Sequence, residues 1–145
     1  MPYFPSIERV REAGWREVFL VAEASAALAL AAAVFHLLPF RRAIRFASGG
    51  SPGPGTVPRV EMLRRIERSI ERAAPRVPWR TVCLQKGLAL QWMLRRRGVD
   101  ARLHYGIGKD DAGALCAHVW VSAGDTLLTG GEQAPQFRMV ATYPS

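Results

Sequence analysis

Hydrophobic residues dominate the first third of the chain, and their pattern predicts helices. Residues 7–46 read as helical, and residues 18–40 form an apolar stretch rich in alanine and leucine, in which Glu23 and His36 are interruptions. Pro39 is expected to end or kink this segment, because proline lacks the amide hydrogen of a helix interior. The stretch is about long enough to span a bilayer, but alanine inserts weakly into lipid and forms helices readily. The pattern therefore favours a buried or surface-docked helix.

A run of glycine and proline divides the chain. Residues 49–55 read GGSPGPG and indicate a flexible linker. Beyond it, apolar residues recur at helical spacing over residues 59–74, which predicts an amphipathic helix. After a break at residues 75–79, another helix is expected from Cys83 to Gly98. The predicted organisation is an N-terminal helical region (1–48), a linker (49–58) and a core (59–145), within one compact domain overall.

Alternating residues after Gly98 predict a small antiparallel sheet. Residues 122–125 are expected to form the turn of a hairpin, which would set Val121 opposite Thr126 and His118 near Thr129. The expected fold class is α+β: N-terminal helices, then the helix that begins at Cys83, packed on the sheet. Four extended segments are predicted, at residues 101–108, 115–121, 126–129 and 137–140.

Composition and charge narrow the class of protein. Hydrophobic residues make up 49% and charged residues 22% of the 145 residues, which is enough for a folded core. A net charge of +8 favours acidic peptides, nucleic acid or an anionic membrane as partners. Most arginines, however, lie at the spacing of solvated helix faces, without a nucleic-acid-binding motif, so no nucleic acid is expected. Two cysteines and the lack of a signal-peptide pattern favour the cytoplasm.

Cys83 is predicted to lie at a helix N-terminus, a position that favours the thiolate form of a cysteine. The backbone amides there, beginning with that of Cys83 itself, can bind the oxyanion formed when a peptide carbonyl is attacked. His118, on a later strand, can accept the thiol proton and return it to the leaving amine. Taken singly, each residue is more simply explained as part of the core.

Three stretches of sequence together resemble a known family. They read WRTVCLQKGLAL at residues 79–90, LRRRGV at 94–99 and AHVWV at 117–121. In combination they closely resemble the leader-peptidase B component of lasso-peptide biosynthesis, which belongs to the transglutaminase-like branch of the papain-type cysteine enzymes. The resemblance runs from residue 77 to about residue 144 and is weaker in the N-terminal helices. It implies a transglutaminase-like, papain-type core.

The resemblance also implies a function. Cys83 would be the nucleophile and His118 the general base of a cysteine peptidase, a hydrolase that removes the leader of a lasso-peptide precursor. A separate lasso cyclase would then close the macrolactam ring. The implied partners are the precursor peptide, that cyclase and a separate leader-recognition protein, because the N-terminal helices leave no room for a fused winged-helix module. No cofactor is implied.

The chain departs from the family at the third catalytic residue. That residue is an aspartate on the strand after the histidine, whereas this chain reads LTGG at residues 128–131 in that neighbourhood. Asp125 is expected at the hairpin turn, about 20 Å from His118 by strand geometry, too far for a hydrogen bond. A backbone carbonyl, Thr129 or Glu132 would then orient the imidazole, or the site works as a dyad. Glu132 is the side chain that we predict for this role.

Other polar and aromatic residues lie near the predicted pair. We predict that Gln85, in the first turn after the nucleophile, and Trp120, on the strand face of His118, belong to the oxyanion site or pocket. Solvent exposure of Gln85 and core packing of Trp120 are the simpler alternatives. Cys116 and His104 could be imagined as zinc ligands beside the pair, but no zinc-binding spacing supports this, so no metal is expected.

Two other functions remain open on the sequence. A non-catalytic peptide-binding or membrane-docking module of the same fold would explain the missing aspartate, with residues 18–40 in peripheral contact with a membrane. It predicts an unreactive Cys83. Acyl transfer to an amine would use the same thioester chemistry, although the resemblance argues for hydrolysis.

Overall fold

The computed structural model describes residues 7–47 and 59–143, so the predicted glycine-proline linker lies outside the described residues. Helices come first and strands follow. The helices are α1 (Ile7–Leu37), α2 (Phe40–Ala47), α3 (Val60–Ala73) and α4 (Cys83–Arg96), with short 3₁₀ helices at Ala74–Arg76 and Gly131–Gln136. The strands are β1 (Ala101–Lys109), β2 (Leu115–Ala123), β3 (Thr126–Leu127) and β4 (Arg138–Tyr143).

The N-terminal helical segment is divided at Pro39, as predicted. Helix α1 ends at Leu37, and the carbonyl of Pro39 accepts hydrogen bonds from the amides of Arg42 and Ala43 at the start of α2. A second irregularity lies at Gly14, whose φ of 73° kinks α1 near its beginning. The segment from Gly14 to Leu37 contains an 18-residue window with a mean hydropathy of 2.2, so by length and composition it is long and apolar enough to cross a membrane.

One hydrophobic core joins the helices to the sheet. Helix α1 contacts α3 and α4, and α4 in turn packs on β1 and β2. Leu28 of α1, Ile66 of α3 and Leu90 of α4 are fully buried in this cluster, together with Val121 of β2. The N-terminal helical region therefore packs into the same core as residues 59–143.

Close packing between α4 and the sheet depends on a glycine in the helix. A β-carbon at Gly87 would lie 2.9 Å from a methyl group of Leu103 and 3.0 Å from a methyl group of Val119. The missing side chain lets the helix approach the strands closely. This contact sets the distance between α4 and the sheet, and with it the position of Cys83 at the N-terminus of the helix.

The strands form a single antiparallel sheet with the order β3-β2-β1-β4. Strand β1 pairs along its whole length with β2 and over part of its length with β4, with a bulge between Tyr105 and Gly106. Helices followed by a small antiparallel sheet make an α+β fold, as the sequence predicted.

The hairpin of β2 and β3 is tighter than predicted. Ala123 pairs with Thr126, which leaves a two-residue turn of Gly124 and Asp125. Gly124 has a φ of 58°, the left-handed backbone that two-residue hairpin turns require at their first central position. The prediction that set Val121 opposite Thr126 was therefore wrong by two residues. Regular pairing of β3 also ends earlier than predicted, at the second strand residue.

Candidate active site

A cavity of about 680 Å³ lies between α3, the start of α4, β2 and the segment at residues 127–133. Cys83 and His118 both line it, although 35 positions separate them in sequence. The helical side of the lining is charged, with Arg64, Glu67, Glu71 and Lys86. Folding thus brings the two residues predicted for catalysis to one open, partly polar cavity.

Cys83 is the first residue of α4, and its side chain is exposed. Val82 precedes it in an extended conformation and provides no side-chain cap. The amide of Lys86 bonds to the Val82 carbonyl at 3.2 Å, while the amides before it precede the first intrahelical hydrogen bond. The first turn also contains no acidic residue. These amides and the helix dipole form a suitable site for a thiolate or an oxyanion.

His118 is oriented by a backbone carbonyl. Its Nε2 lies 2.9 Å from the carbonyl oxygen of Gly130, and the residue is only 9% exposed. A carbonyl oxygen can only accept, so Nε2 must carry the hydrogen. In the neutral ring the unprotonated nitrogen is then Nδ1. The contact therefore selects the tautomer in which Nδ1 is free to act as a base.

The imidazole ring of His118 also stacks with two aromatic rings. Phe137 stacks on it with centroids 4.8 Å apart and planes inclined by 26°, and Trp120 does so at 6.0 Å and 23°. Two glycines of β1 make room for this arrangement. A β-carbon at Gly106 would lie within 3.0 Å of both aromatic side chains, and one at Gly108 would lie 2.8 Å from Phe137.

Gly130 allows the close approach of its backbone to His118. Its φ is 83°, and a β-carbon there would lie 2.5 Å from the carbonyl oxygen of Val119 and 3.0 Å from His118 Nε2. The preceding residues continue the hairpin, since Leu128 donates to the Val121 carbonyl at 2.8 Å. The chain then turns towards the histidine, in the neighbourhood where the family pattern places an aspartate. Of the alternatives open on the sequence, this geometry favours the backbone carbonyl as the orienting group.

The other predicted site residues occupy different places. Glu132 is exposed and lines the cavity. The carbonyl of Gly130 is the group that contacts His118 Nε2, and the orienting role predicted for Glu132 stays a prediction. Thr129 also lines the cavity, and its hydroxyl is buried with no hydrogen-bond partner in the described part of the chain. Gln85 and Trp120 are not among the lining residues. Gln85 Oε1 is buried without a partner among the described residues, and Trp120 is 6% exposed behind His118.

His104 and Cys116 lie in the sheet beside this site. His104 Nδ1 is 2.9 Å from the Thr142 hydroxyl and Nε2 is 2.7 Å from the Ser122 hydroxyl. Burial, and to a smaller extent the nearby Arg102, lowers the pKa of His104. Cys116 is half-buried and pairs with β1. Within residues 7–47 and 59–143, no group of three or more His, Cys, Asp or Glu side chains could hold a metal ion.

Phe137, Gly106, Gly108 and Gly130 were missed by the reasoning from sequence. The glycines carried a signal, because glycine in a strand often marks close approach of another group. Phe137 carried no such signal, since His118, on which it stacks, lies 19 positions earlier in the chain.

A cysteine at a helix N-terminus and a histidine on the sheet, both lining one cavity, form a papain-type arrangement of thiol and imidazole. In agreement with this class, the family described as the transglutaminase-like superfamily matches residues 22–142. The match spans most of the chain, which therefore belongs to the transglutaminase-like superfamily, whose members include cysteine peptidases and acyltransferases. No curated protein and no solved structure matched the chain.

Proposed function

We propose that this protein is a cysteine peptidase that removes the leader from a lasso-peptide precursor before macrolactam cyclisation. The observation that supports this most is the shared cavity, which is lined both by an exposed thiol at a helix N-terminus and by a histidine whose tautomer is fixed by the Gly130 carbonyl. The resemblance of residues 79–90, 94–99 and 117–121 to lasso leader peptidases supports the choice of substrate.

In the first half of the proposed reaction, His118 accepts the proton of the Cys83 thiol, and the sulfur forms a bond to the scissile carbonyl carbon. The resulting oxyanion is stabilised by amides at the start of α4. When the oxyanion collapses, the carbon–nitrogen bond breaks. The proton held by His118 passes to the leaving amine, which carries away one part of the precursor.

In the second half, water attacks the thioester and gives its proton to His118. Collapse of the second oxyanion breaks the carbon–sulfur bond, releases the carboxylate and restores the thiol. Throughout, the Gly130 carbonyl accepts the Nε2 hydrogen bond and stabilises the imidazolium. The role that an aspartate plays in the family pattern is thus filled by a backbone oxygen, which cannot be removed by replacing a side chain.

The cavity can hold several residues of an extended peptide, since 680 Å³ falls within the range of small-ligand pockets and the site is open to solvent. Two ion pairs lie on its helical side, between Arg64 and Glu67 at 2.9 Å and between Lys86 and Glu71 at 3.2 Å. We propose further that a separate recognition protein holds the leader and that the product passes to a lasso cyclase. The proposed location of these steps is the cytoplasm.

The test is leader cleavage of the precursor encoded beside this gene, followed by mass spectrometry in the presence of the recognition protein. Wild type is expected to make a single cut, while Cys83→Ala and His118→Ala lose about 10³-fold or more in rate. Cys116→Ala and His36→Ala are matched controls outside the cavity lining and should cleave at the wild-type rate. Cleavage by Cys83→Ala, or none by wild type despite verified precursor binding, would favour a non-catalytic binding module instead. Transfer of the acyl group to an added amine in preference to water would favour a transglutaminase activity.

A further inference from the structure

Helix α1 presents a long apolar surface to solvent. Four large side chains lie on it, with Trp15 78%, Val18 38%, Phe19 69% and Leu37 79% exposed. Between Phe19 and Leu37 the exposed positions are the alanines 22, 26, 29 and 33 and, next to Leu37, His36. Helical spacing places these eight apolar residues on one side of the helix, with His36 at its far end. We call this surface the apolar face of α1.

The packing of α1 on the domain fixes which side faces outward. Leu28 is fully buried on the opposite side of the helix. The two carboxylates of the exposed segment are held by neighbouring helices: Glu17 pairs with Arg65 and Arg72 of α3. Glu23 pairs with Arg96 at the end of α4 and with Arg97 directly after it, the latter at 2.5 Å. Glu17 and Glu23 are therefore paired with arginines of the fold, and the apolar face is turned away from it.

Positive charge accompanies both ends of the apolar face. Arg16 is exposed next to its first residue, and Arg41, Arg42 and Arg45 of α2 are exposed shortly after its last. A second copy of the chain packed antiparallel along this face would bring these cationic ends together. A parallel copy would place like charges side by side, and the net charge of +8 adds to this repulsion. Charge complementarity thus favours an anionic partner over self-association.

From these observations we propose that the apolar face of α1 docks this protein onto an anionic membrane surface. A helix that lies flat in the interface buries its apolar side, and neighbouring arginines attract acidic headgroups. A tryptophan at one end suits the boundary between lipid and water. A membrane-spanning position would require Leu28 and both glutamates to leave their partners in the fold, so α1 lies on the membrane.

This docking is compatible with the proposed peptidase activity and independent of it. The cavity is lined from α3, α4, β2 and residues 127–133. The test of docking therefore needs no substrate, and its result does not depend on whether Cys83 is catalytic.

The experiment is co-flotation of the full chain with vesicles of phosphatidylcholine mixed with phosphatidylglycerol, and with vesicles of phosphatidylcholine alone. The wild type is expected to float with the acidic vesicles and to be released by high salt. Phe19→Asp should lower the partition coefficient by at least about tenfold, because an aromatic side chain that docking would bury in the membrane is replaced by an anion. Leu115→Asp is the matched control, since Leu115 is 76% exposed at the start of β2 and lies off the apolar face.

Three outcomes would overturn the proposal. The first is failure of the wild type to float with acidic vesicles, and the second is equal loss of binding in both aspartate variants. The third is binding that resists high salt and alkaline extraction, which would indicate a membrane span. A concentration-dependent dimer that is abolished by Phe19→Asp, without vesicle binding, would assign the face to a second copy. Circular dichroism of each variant verifies that the fold is intact.

Discussion

Replacing Gly130 with alanine tests whether the backbone near His118 orients the imidazole. The new β-carbon would lie 2.5 Å from the Val119 carbonyl oxygen and 3.0 Å from His118 Nε2. Neither is the end of a flexible side chain in open space, so the backbone or the imidazole must move. The variant therefore perturbs the hydrogen bond to Nε2 while every side chain in the cavity is retained.

Two contributions to the cost can be separated. A left-handed backbone costs an L-residue about 1–2 kcal/mol, and Gly113 has nearly the same φ, 80°, with nothing within 4 Å of an added β-carbon. Gly113→Ala thus measures the backbone term alone. Gly130→Ala adds the contact and the loss of a neutral hydrogen bond worth about 1 kcal/mol. We expect a loss of unfolding free energy of about 2–4 kcal/mol for Gly130→Ala and about 1–2 kcal/mol for the control.

The effect on catalysis should differ more strongly than the effect on stability. A displacement of about 1 Å at a catalytic group can cost about 10²-fold in rate, so kcat/KM for leader cleavage should fall about that much in Gly130→Ala. Gly113→Ala lies in the β1–β2 turn and should keep the wild-type value. Urea unfolding, cleavage kinetics and the imidazole ¹⁵N signals of His118, which report the tautomer directly, provide the three measurements.

Retention of wild-type kinetics together with an unchanged Nε2–H tautomer in Gly130→Ala would refute the orienting role of this backbone. Equal damage from Gly113→Ala would show that strain, rather than the contact with His118, is responsible. An altered tautomer without a change in rate would show that the Gly130 backbone does orient His118. It would also show that a group other than His118 is the catalytic base.

Other substitutions test the surroundings of the site. Gly87→Ala should reduce the urea-derived unfolding free energy, because overpacking against Leu103 costs about 1–3 kcal/mol and exceeds the gain in helix propensity of about 1 kcal/mol; an unchanged or more stable variant contradicts this. Phe137→Ala should lower kcat/KM by up to about tenfold, as an aromatic pair contributes about 0.5–1.5 kcal/mol, while Phe137→Tyr should retain the rate; equal rates in both variants would show that the ring does not hold His118. The pKa of His104 is lowered in the fold from its ordinary value of 6.5. As the pH falls, the unfolded chain therefore binds a proton at this residue before the folded chain does. The unfolding free energy that is present above pH 6.5 is then lost as the pH falls through the folded pKa. His104→Gln should flatten this decline in urea midpoints measured from pH 7.5 to pH 5, and a slope identical to that of wild type would contradict the assignment.

Much of the architecture follows from local sequence. The period of apolar residues, the proline at position 39 and the alternation after Gly98 predicted the helices, the break and the succession of strands along the chain, because these depend on neighbours a few positions away. The start of α4 at Cys83 was predicted for the same reason. The motifs around Cys83 and His118 then singled out the two residues that the fold brings to one cavity.

Tertiary structure decided how the histidine is held. Every residue has a carbonyl oxygen, so the sequence could not identify Gly130 as the partner of His118. Only the path of the chain after β3 and the φ of 83° at Gly130 show that this carbonyl reaches the imidazole. The hairpin was misjudged by two residues because register depends on the turn's backbone angles. Phe137 reaches His118 only through the packing of distant segments, and Gln85, two positions after Cys83 in sequence, is not part of the cavity lining. Sequence thus determined which groups are able to do chemistry, and nonlocal packing decided which of them line the same cavity.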